Sequence, residues 1–151
     1  MKFNSVDEIL EFAIQREQRA ADFYTGLAER SDFKNIKQVF LGFAEEEKGH
    51  KAKLESVKKG AVVLADGQKV QDLKIGDNLV DVNFDDTNIS YQDALLLAMK
   101  AEKMAFRLYH SLSVATDDSG LKELFLGLAQ EEAKHKLRFE VEYDDIILDE
   151  N

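Results

Sequence analysis

The amino-acid sequence predicts an all-α protein, a bundle of four helices arranged as two antiparallel hairpins. Its 151 residues suffice for one apolar core, so we predict a single domain over residues 1–151. The chain contains no proline and eight glycines, which favours long uninterrupted helices. Four stretches carry apolar residues at helical spacing, and two short breaks and one long connection separate them.

The first hairpin begins at a capping box over residues 5–8, where a serine precedes a glutamate by three positions. Helix one follows this cap. A break near residues 30–32 precedes helix two, which we expect to end near Gly60 or after residues 61–65. The predicted core positions of this hairpin are Ile9, Leu10, Ala13, Ile14, Ala20, Ala21, Tyr24, Leu27, Ala28, Ile36, Val39, Phe40, Phe43, Ala44, Leu54 and Val57.

Residues 66–89 form the long connection and contain turn signals at 66–67, 76–78 and 85–88. A connection of about 25 residues is unusually long for a compact domain, and a direct turn between hairpins would not need it. It therefore predicts a crossover. One long crossover is characteristic of the ferritin-like variant of the four-helix bundle.

The second hairpin begins at Ser90, which we expect to cap helix three. Residues 116–119 form a turn before helix four, and an acidic tail occupies residues 144–151. The predicted core positions here are Ala94, Leu95, Ala98, Met99, Ala105, Phe106, Tyr109, Leu112, Leu121, Leu124, Phe125, Leu128, Ala129, Leu137, Phe139 and Val141.

The two predicted hairpins repeat each other with an offset of 85 residues. Residues 36–54 match residues 121–139 at nine of nineteen positions, and Gly42 matches Gly127 within this stretch. The chemically specific part of the repeat comprises Glu17 and Glu102, Tyr24 and Tyr109, Glu47 and Glu132, and His50 and His135. We therefore predict a pseudo-two-fold bundle in which these residues meet near the axis, with close helix approach at the two glycines.

The four repeated glutamates and two repeated histidines fall on the apolar stripes of their helices. Buried carboxylates without a partner are strongly unfavourable, and four of them would also repel one another. Two divalent cations would cancel four negative charges, and carboxylate with imidazole suits iron or manganese, and zinc less specifically. The sequence thus predicts a buried two-metal site with the ligands Glu17, Glu47, His50, Glu102, Glu132 and His135.

Residues around these six positions suggest further roles. The glutamates that flank the motifs, Glu45, Glu46 and Glu131, are expected to face solvent. Tyr24 and Tyr109 lie two helical turns after the upstream glutamates and on the same face. We expect each tyrosine hydroxyl to donate to a metal-binding carboxylate.

With these residues, the chain resembles the rubrerythrin branch of the ferritin-like superfamily over residues 5–142. The resemblance is carried by the two Glu-x-x-His pairs, the two upstream glutamates and the tyrosine after the first of them. It implies two iron ions bridged by Glu47 and Glu132, with Glu17 and Glu102 as terminal ligands and one histidine, His50 or His135, on each ion. It also implies an oxidoreductase that reduces hydrogen peroxide or dioxygen.

Two features depart from the rubrerythrin pattern. The chain has no cysteine, whereas full-length rubrerythrins carry a four-cysteine domain that supplies electrons, so we expect an external donor such as a rubredoxin-type protein. Ala105 stands where rubrerythrins have an additional glutamate. The remaining six-ligand set is the more general one that ferroxidase centres share.

Three hypotheses follow. The leading one is a non-haem di-iron oxidoreductase of peroxidase or ferroxidase type, in which the metal centre itself is the catalytic group. The alternative is a ferritin-like protein that binds or handles iron without catalytic turnover. The third is a purely structural bundle with empty sites.

The composition constrains the partners of the protein. With 20 basic and 30 acidic side chains the net charge is −10, which argues against nucleic acid or an anionic membrane. The first residues lack a continuous apolar segment, so we expect a cytoplasmic protein. The long connection and the apolar residues 61–65 favour a homodimer, with or without exchanged hairpins.

Overall fold

The computed structural model describes residues 3–30, 36–60, 82–85 and 88–150, and of residues 149 and 150 it describes only the backbone. These residues contain four helices and no strand: α1 (Val6–Glu29), α2 (Lys37–Lys59), α3 (Tyr91–Ala115) and α4 (Ser119–Glu150). Helix α1 packs along α2, and α3 packs along α4. The predicted all-α, ferritin-like bundle of two hairpins is confirmed. Residues 66–81 and 86–87 of the predicted crossover lie outside the described residues, as does the apolar segment 61–65.

Side-chain caps begin three of the helices. The Ser5 hydroxyl accepts a hydrogen bond from the Glu8 backbone N–H at 3.2 Å, and the Ser90 hydroxyl accepts one from Asp93 at 3.0 Å. Before α4, the Asp118 carboxylate accepts from the Leu121 N–H at 2.8 Å. These bonds satisfy N–H groups that the first helical turn leaves unpaired, and α1 and α3 begin at the predicted serine caps.

The bundle core consists of two apolar clusters with a charged layer between them. Helix α1 shows this arrangement clearly, since residues 9–14 enter one cluster and residues 20–28 enter the other. Arg16 and Glu17 are buried between the two. Two described residues of the crossover, Val82 and Phe84, are buried in the second cluster, where the Phe84 ring packs against Phe23.

Several predicted core positions were wrong. Phe106, Leu137 and Val141 are exposed, because each lies beside the buried stripe of its helix rather than on it.

The predicted close helix approach at Gly42 and Gly127 was also wrong. Both glycines are exposed, and a methyl group added at either would meet nothing within 4 Å. Helix α4 runs through residue 150, so the acidic tail continues this helix.

Candidate metal centre

All six predicted ligands lie together in the charged layer. The four glutamates are 0% exposed, and His50 and His135 are 4% and 1% exposed. One glutamate comes from each helix, and the two histidines come from α2 and α4, one turn after a glutamate. The near-parallel imidazole rings have centroids 6.2 Å apart. The repeat seen in the sequence therefore corresponds to a pseudo-two-fold cluster in space.

The cluster contains two groups of atoms that have the composition of metal ligands. In each group one nitrogen or oxygen from every member lies within 4.8 Å of the others. The first group consists of Glu17, Glu47, His50 and Glu132, and the second of Glu47, Glu102, Glu132 and His135. Glu47 and Glu132 belong to both groups, which is the arrangement that two adjacent ions sharing two carboxylates would need.

Each of the six residues has one buried atom without an aligned hydrogen-bond partner among the described residues. These atoms are Glu17 Oε2, Glu47 Oε1, His50 Nδ1, Glu102 Oε2, Glu132 Oε1 and His135 Nδ1. Native proteins rarely leave buried polar atoms unpaired, so six in one place call for a ligand or ion.

Distances among these six atoms fit metal ions. His50 Nδ1 lies 2.9 Å from Glu132 Oε1, 3.3 Å from Glu47 Oε1 and 3.7 Å from Glu17 Oε2. His135 Nδ1 lies 3.3 Å from Glu47 Oε1 and 3.7 Å from Glu102 Oε2. Neighbouring ligands around an ion at about 2.1 Å are separated by roughly 3.0 to 3.4 Å. The residues present therefore fit two cations.

Arg16 is also in the cluster, although it was not among the predicted site residues. Its side chain is 1% exposed, and Nη1 donates to Glu47 Oε2 at 2.6 Å and to Glu132 Oε2 at 2.5 Å. Nη1 also lies 3.2 Å from Glu17 Oε1, while Nη2 donates to Glu102 Oε1 at 3.2 Å. One signal was available in the sequence, since position 16 continues the buried spacing of positions 9, 13 and 20.

The two tyrosines contact the cluster from opposite sides. The Tyr24 hydroxyl of α1 donates to Glu102 Oε1 of α3, and the Tyr109 hydroxyl of α3 donates to Glu17 Oε1 of α1. Both contacts join the two hairpins. Each hydroxyl contacts one oxygen of its carboxylate, and the other oxygen of the same carboxylate has no aligned hydrogen bond.

His135 has two neighbours that correct an expectation. Glu46 reaches its Nε2 atom, although Glu46 was expected only to face solvent and its side chain is half exposed. An ionised carboxylate only accepts, so Nε2 donates this hydrogen bond, and a neutral His135 would present the lone pair of Nδ1 to a metal ion. The Phe43 ring stacks on the imidazole with centroids 4.1 Å apart, which fixes its orientation.

The pKa values of three of the glutamates are shifted, two upward and one downward. Burial raises the pKa of Glu17 to about 7, and the charge of Glu47 adds to this shift while Arg16 opposes it. Burial and the neighbouring carboxylates also hold the pKa of Glu132 well above its usual range. Burial would likewise raise the pKa of Glu47, but Arg16 and the two histidines hold it well below its usual range.

Each of the two histidines binds its second proton more tightly than a free imidazole does. Burial lowers the pKa of each imidazole, but the adjacent carboxylates outweigh burial. Glu17 and Glu47 raise the pKa of His50 to about 9, and Glu102 and Glu47 raise the pKa of His135 to about 11. Cations would have to displace these protons in order to bind.

Comparisons with known proteins agree with this geometry. A protein-family model described as rubrerythrin matches residues 8–69 and 93–151, which include all six predicted ligands and Arg16. The solved structure of a hypothetical protein from Pyrococcus furiosus is similar, with a TM-score of 0.69 and 27% sequence identity over 93% of this chain and 89% of that chain. No curated protein matches the chain. Among the described helices, none has the length and apolar character needed to span a bilayer.

Proposed function

The chain belongs to the rubrerythrin family, and from this premise we propose that it is a di-iron oxidoreductase that reduces hydrogen peroxide or dioxygen. The observation that carries the proposal is the set of six buried atoms without an aligned hydrogen bond. They are arranged in two groups that share Glu47 and Glu132. Glu17 and His50 would complete the first iron position. Glu102 and His135 would complete the second.

Two bound iron ions would supply the two electrons that reduction of hydrogen peroxide to water requires. The protein residues provide the remaining conditions. Four carboxylates balance the charge of two divalent ions, and two neutral imidazoles donate nitrogen lone pairs. The apolar clusters on both sides exclude bulk water, and the two tyrosine hydroxyls hold Glu17 and Glu102 in orientation.

Carboxylates and imidazoles without thiolate suit iron and manganese, and zinc less specifically. The family favours iron, and manganese and zinc are alternatives with the same charge. Catalytic turnover also needs a source of electrons. The 151 residues contain no cysteine to bind a thiolate-ligated iron, so we propose a separate rubredoxin-type protein as donor. A cytoplasmic homodimer remains our proposal for the assembly.

Anaerobic titration with ferrous iron, followed by addition of hydrogen peroxide, tests this function. We expect two irons per chain, a ferric near-ultraviolet absorption after peroxide, and continued peroxide consumption when a reductant is present. The same additions to buffer without the protein provide the control. Binding of fewer than one iron per chain, or no spectral change at two irons, would contradict the proposal.

A second candidate function is iron binding without turnover. Ala105 favours it, because this residue is buried in an apolar cluster at the position where the rubrerythrins carry an additional carboxylate. Under this alternative the protein would bind two irons and oxidise once with peroxide, but it would not consume further peroxide with a reductant. The native mass separates simple binding from storage, since storage requires assembly into a large shell.

A further inference from the structure

We propose that Arg16 is a positioning residue that orients all four glutamates of the cluster toward the metal positions. The proposal rests on the division of carboxylate oxygens in the cluster. Each glutamate places one oxygen on the guanidinium of Arg16, while its other oxygen lies near a histidine Nδ1 atom without an aligned hydrogen bond. The part of the proposal that concerns metal affinity rests on the proposed function, whereas the part that concerns metal-free stability does not.

The contacts of Arg16 respect the pseudo-two-fold symmetry of the cluster. On the terminal pair, Glu17 and Glu102, the guanidinium contacts Oε1. On the shared pair, Glu47 and Glu132, it contacts Oε2. Because equivalent oxygens of both hairpins converge on one guanidinium, this group lies close to the axis and serves both metal positions at once.

The symmetry also explains why the repeat fails at this position. The residue that aligns with Arg16 is Ala101, whose backbone carbonyl accepts a hydrogen bond from Arg16 Nη2 at 3.4 Å. A residue that occupies the axis can be present only once. A second guanidinium from position 101 would meet the first one, and two like charges would then be buried together.

Charge supports a role in which Arg16 stays in place when metal binds. Arginine remains protonated, so Arg16 brings one positive charge to the four buried carboxyl groups. Burial of several like charges without a partner is strongly unfavourable, and the guanidinium offsets part of that repulsion. The oxygens that Arg16 contacts are not the ones that lack an aligned hydrogen bond, so cations that bind the latter need not displace it.

The test uses Arg16→Met, with Arg107→Met as the matched control because Arg107 is exposed on α3 and outside the cluster. We expect Arg16→Met to lower the urea midpoint of the chelator-treated protein, to weaken binding of Co(II) and anaerobic ferrous iron at least tenfold, and to change the visible absorption of bound Co(II). The control should match the wild type in all three measurements.

A transplant variant, Arg16→Ala with Ala101→Arg, guards against a merely structural effect. By symmetry the new arginine should reach the same four oxygens and restore the urea midpoint and the metal affinity relative to Arg16→Ala alone. Tighter metal binding by Arg16→Met would overturn the proposal, since Arg16 would then compete with metal. Unchanged midpoint and affinity in Arg16→Met, or a transplant without rescue, would overturn it as well.

These outcomes separate this inference from the proposed function. If the wild type binds two ions and Arg16→Met binds them equally well, the role of Arg16 is refuted and the metal site stands. If the wild type binds none, the metal site is refuted together with the orienting role, and an altered urea midpoint then assigns Arg16 to the metal-free cluster alone.

Discussion

The two hairpins of this protein supply the same predicted ligands but different surroundings. Each gives two glutamates and one histidine at equivalent positions, offset by 85 residues. The first hairpin adds three further neighbours of the cluster, namely Arg16, Phe43 and Glu46. Their aligned positions in the second hairpin hold Ala101, Leu128 and Glu131. Of these, Glu131 also lies near His135, since one atom each of Glu46, Glu131 and His135 lies within 4.8 Å of the others.

This difference separates what a pair of metal ions requires from what adjusts each ion. Ligation must be repeated, because two similar ions need two similar sets of atoms. The supporting residues need no repeat. Phe43 and Glu46 both contact His135, so this imidazole has two supporting contacts from the other hairpin. Arg16 contacts residues of both positions, so its influence is shared.

The largest expected effect distinguishes a shared ligand from one that serves a single position. Glu47→Gln keeps the size of the side chain but removes its charge from both groups, so we expect the affinity for both ions to fall at least about 100-fold. Glu17→Gln should weaken chiefly the first ion and leave about one iron per chain. Elemental analysis after anaerobic reconstitution measures both stoichiometries.

Glu45→Gln is the matched control for these substitutions, because Glu45 is exposed and lies two residues before Glu47. It should retain two ions. Retention of two ions by Glu47→Gln would show that the two groups do not share this ligand, and the symmetric interpretation of the cluster would then fail.

The second effect is the pH dependence of the two halves. Glu17 and His50 bind protons more tightly in the folded, metal-free protein than in the unfolded chain, with pKa values of about 7 and about 9. Their contribution to the free energy of unfolding is therefore full at low pH. It is lost as the pH rises from 4.5 to about 7 for Glu17 and from 6.5 to about 9 for His50.

Metal binding shows the opposite trend, because ions displace these protons. Affinity should rise about tenfold per pH unit for each proton displaced, hence about 100-fold or more between pH 6 and pH 8. The pKa of His135, about 11, means that the second position must displace a more tightly held proton. We expect two separate binding steps in Mn(II) titrations, and a single pH-independent step would contradict this order.

The third effect isolates the support of His135. Glu46→Gln removes the carboxylate that fixes Nε2 as the donor, so we expect the second ion to bind about 10-fold more weakly. Glu45→Gln changes an exposed glutamate of the same helix and should leave both affinities within about twofold. Equal losses in the two variants would show that the contact of Glu46 with His135 does not support the second position.

The sequence predicted the fold well because the information was local. Helical spacing of apolar residues defined four helices, and Ser5 and Ser90 cap two of them as predicted. The width of a buried stripe depends on how helices cross, which spacing alone does not contain. For this reason Phe106, Leu137 and Val141 were predicted to be buried, although they lie just outside the stripe and are exposed.

Only part of the site was predicted, and the physical reason differs from that for the fold. The six predicted ligands were found because they repeat, and repetition distinguishes a functional glutamate from the many solvated ones. Arg16 does not repeat, since one guanidinium near the axis serves both halves. The contact of Glu46 with His135 joins two hairpins, so no spacing within one helix reveals it. Both residues became recognisable only when the hairpins were placed together.

The smallest expected effect tests how symmetric the cluster is. Tyr24→Phe and Tyr109→Phe each remove one hydroxyl that donates to a buried carboxylate of the other hairpin. Each should lower the free energy of unfolding of the metal-free protein by about 1–2 kcal/mol, because the oxygen loses a donor and burial prevents water from replacing it. Urea denaturation in the presence of chelator measures this loss.

Tyr143→Phe is the control for both tyrosine variants, since Tyr143 is only partly buried and its hydroxyl accepts a 3.3 Å hydrogen bond from Gln92 outside the cluster. It should lower the free energy of unfolding by less than about 0.5 kcal/mol. Because Arg16 contacts both Glu17 and Glu102, the two cluster variants should be destabilised equally within about 0.5 kcal/mol. A clear inequality would mean that the guanidinium favours one hairpin, and Arg16 would then lie off the axis rather than between the two metal positions.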